Sequence, residues 1–347
     1  MRNKRLGRTP IHAKRILIWE QNWLGDVIFS TPFIKALRKN FKDAYIACIV
    51  NPSSSEVLSG NPHINEIILY DENREHRGIF GKNKLIKRLK QGNFDTVFLL
   101  HRSLSRAIIC ALSGIKRRVG YHYSKRNFML TEIVDLPKVP LHKIEYFLNI
   151  AGRLGMDIQD KKPEFFISKE DQDYAARLLS QNGIAKNDPF IVINTGGNWP
   201  PKRWPEKNFA VLSDRFIKEY GIKIVVTGAD KDFDRVLHIQ EMAHQKLIII
   251  CGKTNLKQLA AVFEKARAVI SGDSGPMHIA FSIGAKVIAL FGPTSPALTG
   301  PYGGGEFEVV RKEIGCKIPC YNSGCKDNRC MKAVSVDDVE EAVGKIL

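Results

Sequence analysis

Short apolar runs alternate with amphipathic stretches along the whole chain, a pattern typical of βα units built around parallel sheets. In the first half, strands are predicted at RILIWE, AYIACIV, NEIILY and DTVFLL, and helices at DVIFSTPFIKALRKNF, residues 82–90 and SLSRAIICALSG. In the second half, strands are predicted at FIVINTG, KIVVTG, LIIICG, AVISGD and KVIALFG, with helical stretches between them. Strands that are apolar on both faces belong to sheets covered by helices on both sides. The sequence therefore predicts an α/β protein with two doubly wound parallel sheets.

The first series of elements ends near the middle of the chain. Two predicted helices, at 143–155 and 170–183, flank the more open stretch DIQDKKPEFFISK, which we interpret as a domain connection. We expect a first domain at residues 1–165 and a second at 166–347 that includes a Cys-containing tail and a final helix. Ligands of such sheets bind beyond the carboxyl ends of the strands, and a cleft between two facing domains would suit a reaction with two substrates.

The chain carries a net charge of +17, which favours polyanionic partners. Nucleic acid, anionic lipid headgroups and phosphorylated small molecules fit this charge, and a solvated Lys-rich surface is the alternative. The basic residues cluster in 2–15, 82–90 and 115–126. No apolar run approaches the roughly 18 residues of a membrane span, and the run that follows the basic N-terminus is too short for a signal peptide. These features predict a cytoplasmic protein.

Four of the seven cysteines lie close together near the end of the chain, at Cys316, Cys320, Cys325 and Cys330. Their spacing does not match the paired C-x₂-C pattern of common zinc sites. A disulfide framework is not expected in a reducing compartment. Whether these cysteines bind a structural metal stays open at this point.

The first candidate site lies in ILIWEQNWLGDVIFSTP, where a strand leads through a loop to Asp26 at the start of a helix. Asp is a favoured N-cap residue, so a purely structural role is one interpretation. The other is a general base that takes a proton from an acceptor hydroxyl, since a helix N-terminus stabilises a carboxylate there.

The second candidate site is INTGGNWPPKRWP, which follows a predicted strand. Thr195 and Gly196 offer a hydroxyl and exposed amides, and Lys202 supplies a point charge for phosphate. An ordinary turn with exposed basic residues is the alternative. The chain contains no Walker A motif and no G-x-G-x-x-G motif, so the usual nucleotide fingerprints are absent.

The third candidate site is GDSGPMHIAFSIG, a strand end that opens into an apolar helix. Ser274 fits the N-cap and the following Pro fits the first turn. Capping leaves Asp273, Gly275 and His278 unexplained, although His278 could be a core histidine. The free amides of such a helix start suit a diphosphate. The acidic residues around 230–234 are interpreted as helix N-terminal acids, and no metal is assigned to them.

Together, these three motifs resemble glycosyltransferase family 9, the lipopolysaccharide heptosyltransferases, in order and spacing over almost the whole chain. The resemblance implies a GT-B fold with two Rossmann-like domains, the acceptor site in the first and the nucleotide-sugar site in the second. It also implies inverting transfer of heptose from ADP-heptose to the inner core of lipopolysaccharide, with no metal or other cofactor required. The acceptor would be a phosphorylated glycolipid, and the enzyme would be bound peripherally to the inner face of the inner membrane.

The resemblance also assigns roles to individual residues. Asp26 matches the catalytic base. The residues expected at the donor are Thr195, Gly196, Lys202, Asp230, Asp273, Ser274, Gly275 and His278. Asp230 stands where Glu is common in the family, and Ser274 stands where many members have Thr. Acceptor binding is expected at Arg102, Arg106, Arg117 and Arg118, which follow or flank predicted strand ends.

Two other kinds of function remain open at this stage. One is a GT-B enzyme of another type, a nucleotide-sugar epimerase or a transferase that uses another donor. The other is a basic nucleic-acid-binding protein. The basic runs carry no interleaved aromatics and no recognised nucleic-acid-binding motif, which disfavours the second.

Overall fold

Two six-stranded parallel sheets organise residues 13–347, the part of the chain that the computed structural model describes. The chain divides into a first unit that ends at Glu164 and a second unit from Phe165 to Leu347. The division falls one residue before the boundary expected from the sequence. Most of the basic segment 2–15 lies outside the described residues.

The first sheet has the strand order β3-β2-β1-β4-β5-β6. Its strands are β1 Arg15–Trp19, β2 Tyr45–Val50, β3 Glu66–Leu69, β4 Thr96–Leu99, β5 Arg117–Tyr121 and β6 Glu132–Val134. Its helices are α1 Leu24–Asn40, α2 Ser55–Leu58, α3 Gly78–Gln91, α4 Leu104–Leu112 and α5 Lys143–Arg153, with 3-10 turns at Pro52–Ser54 and Asn127–Met129. The four strands predicted in this half are all present. Strands β5 and β6 were not predicted, because RRVGY and EIV are too polar or too short to form an apolar run.

The second sheet has the order β12-β11-β10-β7-β8-β9. Its strands are β7 Phe190–Asn194, β8 Lys223–Thr227, β9 Ile248–Ile249, β10 Ala268–Gly272, β11 Val287–Leu290 and β12 Phe307–Val310. Its helices are α6 Lys169–Gln181, α7 Glu206–Tyr220, α8 Phe233–Met242, α9 Leu256–Lys265, α10 Gly275–Ser282, α11 Pro296–Thr299, α12 Arg329–Lys332 and α13 Val336–Ile346, with 3-10 turns at Pro200–Lys202 and Asp230–Asp232. The five predicted strands are present, and β12 is an additional edge strand.

The apolar runs form the buried centre of each sheet. Ile16, Leu17 and Ile18 alternate between the two faces of β1, and all three are fully buried. Helices on both faces therefore cover the sheet, as the two-sided apolar pattern predicts. Every strand pair within each sheet is parallel, so all carboxyl ends of that sheet lie at one edge. The strand order reverses between β1 and β4 in the first sheet and between β7 and β10 in the second, which are the positions where ligands of such sheets bind.

A buried carboxyl group follows β1 at this edge of the first sheet. Glu20 is 1% exposed, and its Oε2 accepts a hydrogen bond of 2.8 Å from the Ser30 hydroxyl. Its Oε1 has no hydrogen-bond partner among the described residues. Burial raises the pKa of Glu20 to about 8, against the opposing effect of the hydrogen bonds from Ser30 and the Gln21 backbone. The negative charge of Asp26 raises the pKa further. Glu20 is therefore mainly a neutral acid at pH 7.

The elevated pKa of Glu20 predicts how stability depends on pH. The folded-state pKa of about 8 exceeds the reference value of 4.5, so the contribution of Glu20 is fully favourable below pH 4.5. It is lost progressively as the pH rises from there through the folded pKa. A Glu20→Gln variant cannot ionise at this position and lacks this loss. Between pH 4.5 and pH 7, the free energy of unfolding of the parent should therefore fall by about 3 kcal/mol relative to that of the variant. Urea unfolding across this range measures the difference.

The exposed Glu219 supplies the matched control. Glu219→Gln should leave the pH slope of the parent unchanged. Equal slopes for the parent and Glu20→Gln would show that Glu20 is already ionised in the folded protein.

Candidate active site

An ion pair joins two of the predicted donor residues at the carboxyl edge of the second sheet. Asp273 follows β10, and its Oδ2 lies 2.6 Å from the Nζ of Lys202. Lys202 ends the 3-10 turn after β7, the strand next to β10 in the sheet. The backbone of that turn also packs on the end of β10, because a Cβ placed on Gly272 would lie 3.0 Å from the Lys202 carbonyl oxygen. The second and third candidate motifs thus meet at one point.

The carboxyl group of Asp273 is buried yet charged. Its side chain is 3% exposed, and the Nε2 of His278 lies 3.5 Å from its Oδ1. Burial acts to raise the pKa of Asp273, but the hydrogen bond and charge of His278 and the charge of Lys202 outweigh it. They hold the pKa of Asp273 well below its usual range, so the carboxylate is ionised at any physiological pH. His278 itself is buried at the first turns of α10 and is a partner of Asp273, not an isolated core histidine.

The start of α10 differs from the capped helix that we expected. Ser274 occupies the N-cap position, but its side chain makes no capping hydrogen bond. Its hydroxyl lies 3.2 Å from the Ser271 hydroxyl instead. The prediction that capping accounts for Ser274 is therefore wrong. Because the Ser274 side chain accepts from no first-turn amide, the positive end of the helix dipole is available to an anion.

The end of β7 contributes Thr195 and Gly196 to the same edge. Thr195 is 3% exposed, and its Oγ1 is buried without a hydrogen-bond partner among the described residues. A Cβ on Gly196 would lie 2.9 Å from the Oδ2 of Asp232, so only glycine fits without a shift. Asp232 is itself buried and accepts a hydrogen bond from the Ala229 amide at 3.1 Å. Asp232 was predicted only as one of several helix N-terminal acids, and its packing against Gly196 was not predicted.

Asp230 lies beyond β8, one strand further along the sheet. Its side chain is exposed and packs against Gly252, where any Cβ would collide with the carboxylate. Gly252 also has a left-handed φ of +73°, which favours glycine. The donor residues predicted from the sequence therefore all lie at the carboxyl edge around β7, β8 and β10.

Asp26 lies at the corresponding edge of the first sheet, in the first turn of α1. The N-cap position is Trp23, without a side-chain capping bond, so Asp26 is not the N-cap that one interpretation proposed. Its side chain is 18% exposed, and its Oδ1 lies 3.5 Å from the Nζ of Lys143. Lys143 is the first residue of α5 and was not predicted as a site residue. No local signal marks it, since 117 positions of sequence separate the two residues.

Arg106 holds the loop between β1 and α1, which leads to Asp26. It is 3% exposed and donates to the Glu20 carbonyl at 3.1 Å and to the Asn22 side chain at 2.6 Å. These contacts occupy the guanidinium group, which makes Arg106 a positioning residue in this structure. Arg102 is exposed in the segment between β4 and α4, at the same edge of the sheet.

Arg117 and Arg118 lie at the opposite edge. They begin β5, so they are at the amino end of the sheet and not beyond a strand end. Arg117 donates to Glu132 at 2.9 Å, and Arg118 donates to the Met129 carbonyl at 2.6 Å. This placement and these partners argue against the expectation that they contact an acceptor together with Asp26.

Residues 13–347 contain no group of three or more His, Cys, Asp or Glu side chains arranged to hold a metal ion. The four clustered cysteines are free thiols in the same part of the chain. Two of them lie against the loop after β11: the Cys320 amide donates to the Pro293 carbonyl at 2.7 Å, and a Cβ placed on Gly292 would lie 3.0 Å from the Cys330 Sγ. Within these described residues, no helix is long and apolar enough to cross a membrane.

The sequence is similar to those of known glycosyltransferases. A sequence model of glycosyltransferase family 9 (heptosyltransferase) matches residues 82–329. Lipopolysaccharide heptosyltransferase 2 of Escherichia coli is 27% identical over 301 residues, which cover 83% of this chain and 85% of that protein. Lipooligosaccharide heptosyltransferase 2 of Campylobacter jejuni is 26% identical over 339 residues, which cover 96% and 99% of the two chains.

A solved structure resembles the fold over nearly its full length. The family 9 glycosyl transferase from Veillonella parvula has a TM-score of 0.90 and 27% identity, and the match covers 97% of this chain and 99% of that one. The predicted GT-B class, with two Rossmann-like sheets, is thereby confirmed. Since the family match spans well over half of the sequence, this chain belongs to glycosyltransferase family 9, the heptosyltransferases.

Proposed function

We propose that this chain transfers heptose from ADP-heptose to the inner core of lipopolysaccharide by a single inverting displacement. The observation that carries the proposal is the contact of Lys202, Asp273 and His278 beside the uncapped start of α10. A cation held by a buried carboxylate next to free helix amides is suited to the diphosphate of a nucleotide sugar. The names of the relatives from Escherichia coli and Campylobacter jejuni support heptose and a lipopolysaccharide-type acceptor.

The proposed step exchanges one bond at the sugar. The acceptor hydroxyl oxygen attacks the anomeric carbon, the bond from that carbon to the ADP oxygen breaks, and the configuration inverts. The hydroxyl proton passes to the Asp26 carboxylate, and ADP leaves with the bonding electron pair. Negative charge therefore grows on the diphosphate as the sugar becomes cationic.

Groups of the second unit would stabilise this charge. The Nζ of Lys202 is held by Asp273, so little reorganisation is needed during the reaction. The amides of α10 and the Ser274 hydroxyl provide neutral donors at the same point. We assign the neutralisation of the leaving group to these protein groups and propose that no metal is needed.

Asp26 is proposed as the base that accepts the proton. Lys143 lies 3.5 Å from its carboxylate and would keep it oriented until the acceptor is bound. Glu20, which interacts electrostatically with Asp26, is largely neutral and adds little negative charge to this region at pH 7. Arg102 is the arginine at this edge whose exposure would let it contact a phosphorylated acceptor.

We also propose that the protein is cytoplasmic and associates peripherally with the inner face of the inner membrane. Helix α3 has five basic residues, at Lys82, Lys84, Lys87, Arg88 and Lys90. Lys84 pairs with Glu75 and Arg88 with Glu66, whereas Lys87 and Lys90 are exposed and take part in no ion pair of the described residues. Such cations attract anionic lipids by about 1 kcal/mol each within a Debye length.

The catalytic proposal is tested with ADP-heptose and lipopolysaccharide acceptors truncated within the inner core. The parent should form a heptosylated product, identified by mass spectrometry. Asp26→Asn should lower kcat by about 10²–10⁴, because the amide cannot accept the proton. Donor affinity should stay within a few-fold of the parent.

The exposed Asp43 on the same unit provides the control, and Asp43→Asn should retain parental turnover. Near-parental turnover by Asp26→Asn would reduce Asp26 to a structural residue. Transfer from other nucleotide sugars, but not from ADP-heptose, would contradict the proposed donor.

Lys202→Ala should weaken ADP binding and lower kcat together, because the diphosphate is charged in the ground state and more so in the transition state. Calorimetric titration with ADP and steady-state kinetics measure the two effects. Lys218→Ala, an exposed lysine near the end of α7, should change neither. A change confined to the acceptor KM would contradict the assignment of the second unit to the donor.

Binding to vesicles that contain phosphatidylglycerol should fall steeply as salt is raised from 50 to 500 mM, about the range over which screening sets in. Replacing Lys87 and Lys90 by Glu should weaken binding at low salt and leave donor affinity unchanged. The same reversal at Lys218 in the second unit should have no effect. Vesicle binding that is absent, or insensitive to salt, would overturn the electrostatic part of the proposal.

A further inference from the structure

The first turn of α3 presents two large apolar side chains to solvent. Ile79 is 70% exposed and Phe80 is 87% exposed, which makes Phe80 the most exposed large apolar residue among those described. Single exposed apolar residues are ordinary, but two adjacent ones at a helix start form a patch. Nothing in the described part of the chain covers them.

The fold fixes this exposure. A Cβ placed on Gly81 would lie 2.6 Å from backbone atoms of Glu75 and His76, so the helix start packs directly on the preceding loop. Leu85 and Leu89 are buried on the inner side of the same helix. Ile79 and Phe80 cannot turn inward unless the contact of Gly81 with the preceding loop is broken. The helix therefore holds its apolar tip outward.

Basic side chains surround this tip on the outer face of the helix. Phe80, Lys84 and Lys87 follow one another at helical spacings of four and three residues, so they form one stripe. Arg74 and Arg77 are exposed in the segment that leads into the helix. An apolar tip flanked by cations is the composition of a helix that lies in the interface of an anionic bilayer.

The tip lies on the side of the sheet that carries Asp26. Helix α3 begins after the carboxyl end of β3, and α1 begins after the carboxyl end of β1. Trp23, the N-cap residue of α1, is 69% exposed at the same edge. A membrane bound by Ile79 and Phe80 would therefore face the edge at which the acceptor is expected.

We propose that Ile79 and Phe80 insert into the headgroup region of an anionic bilayer and hold the carboxyl edge of the first unit against it. The lysines of α3 attract the protein to the surface, and the apolar pair supplies a contact that salt does not screen. The biological reason for this contact rests on the proposed function, in which the acceptor is a membrane glycolipid. The binding itself does not depend on the sugar chemistry.

The test measures partitioning of the purified full chain onto vesicles of phosphatidylethanolamine and phosphatidylglycerol. Phe80→Ala should weaken binding by about tenfold, and the deficit should persist at high salt, where lysine contacts are screened. Leu112→Ala provides the matched control, because Leu112 is 56% exposed at the last residue of α4, near the opposite edge of the sheet. Phe80→Trp should bind like the parent. On addition of vesicles, its tryptophan emission should shift further to the blue than the emission of the parent does.

Transfer to a soluble acceptor separates this inference from the proposed function. With an inner-core acceptor stripped of its acyl chains, Phe80→Ala should match the parent, whereas with acceptor embedded in vesicles its rate should fall. If the parent transfers no heptose to either acceptor but Phe80→Ala still loses vesicle binding, the proposed function fails and the membrane contact stands.

Unchanged vesicle binding by Phe80→Ala overturns the inference. So does a shift in oligomeric state without a change in vesicle binding, which would identify a second copy as the occupant.

Discussion

The contact between Asp273 and Lys202 organises the candidate site of the second unit. It joins the end of β10 to the turn after β7, two strands that are neighbours in space but about 70 residues apart in sequence. A buried carboxylate is costly unless it is paired, so removing either partner would leave an uncompensated charge or release the turn. The same pair fixes the ammonium group that would meet the diphosphate. Structure and proposed chemistry therefore depend on one ion pair.

The first unit also buries a carboxyl group, that of Glu20, but keeps it neutral instead of pairing it with a cation. Burial keeps Glu20 protonated near pH 7, so Glu20 adds little negative charge near Asp26. Arg106 binds the Glu20 backbone carbonyl and the Asn22 side chain, whereas the Glu20 carboxyl group is bound by the Ser30 hydroxyl through Oε2 alone. The loop before α1 is thus anchored through its backbone and Asn22. Asp26 pairs with Lys143, which would orient its carboxylate in the proposed reaction.

The strands that the sequence predicted are those buried on both faces, because a two-sided apolar run has few other stable conformations. Strand β5 was not predicted because it begins with the charged residues Arg117 and Arg118. In the structure, Glu132 on β6 and nearby backbone carbonyls accept hydrogen bonds from these two side chains. Strand β12 lies at the edge of the second sheet, and three of its four residues are only partly buried, so its sequence FEVV forms no long apolar run. Pairing with a neighbour, and not local composition, made these segments strands.

By itself, the sequence determined the class of fold, the three motifs and the residue types that a diphosphate and an acceptor hydroxyl need, because these depend on local periodicity and on chemistry. Only the tertiary structure decided that the Ser274 side chain makes no capping bond, that Lys143 lies beside Asp26 and that Arg117 lies at the amino edge of the first sheet. Each of these outcomes is set by contacts between segments distant in sequence. Such contacts leave no local pattern, since the energy of a hydrogen bond or ion pair depends on which partner the fold brings within reach.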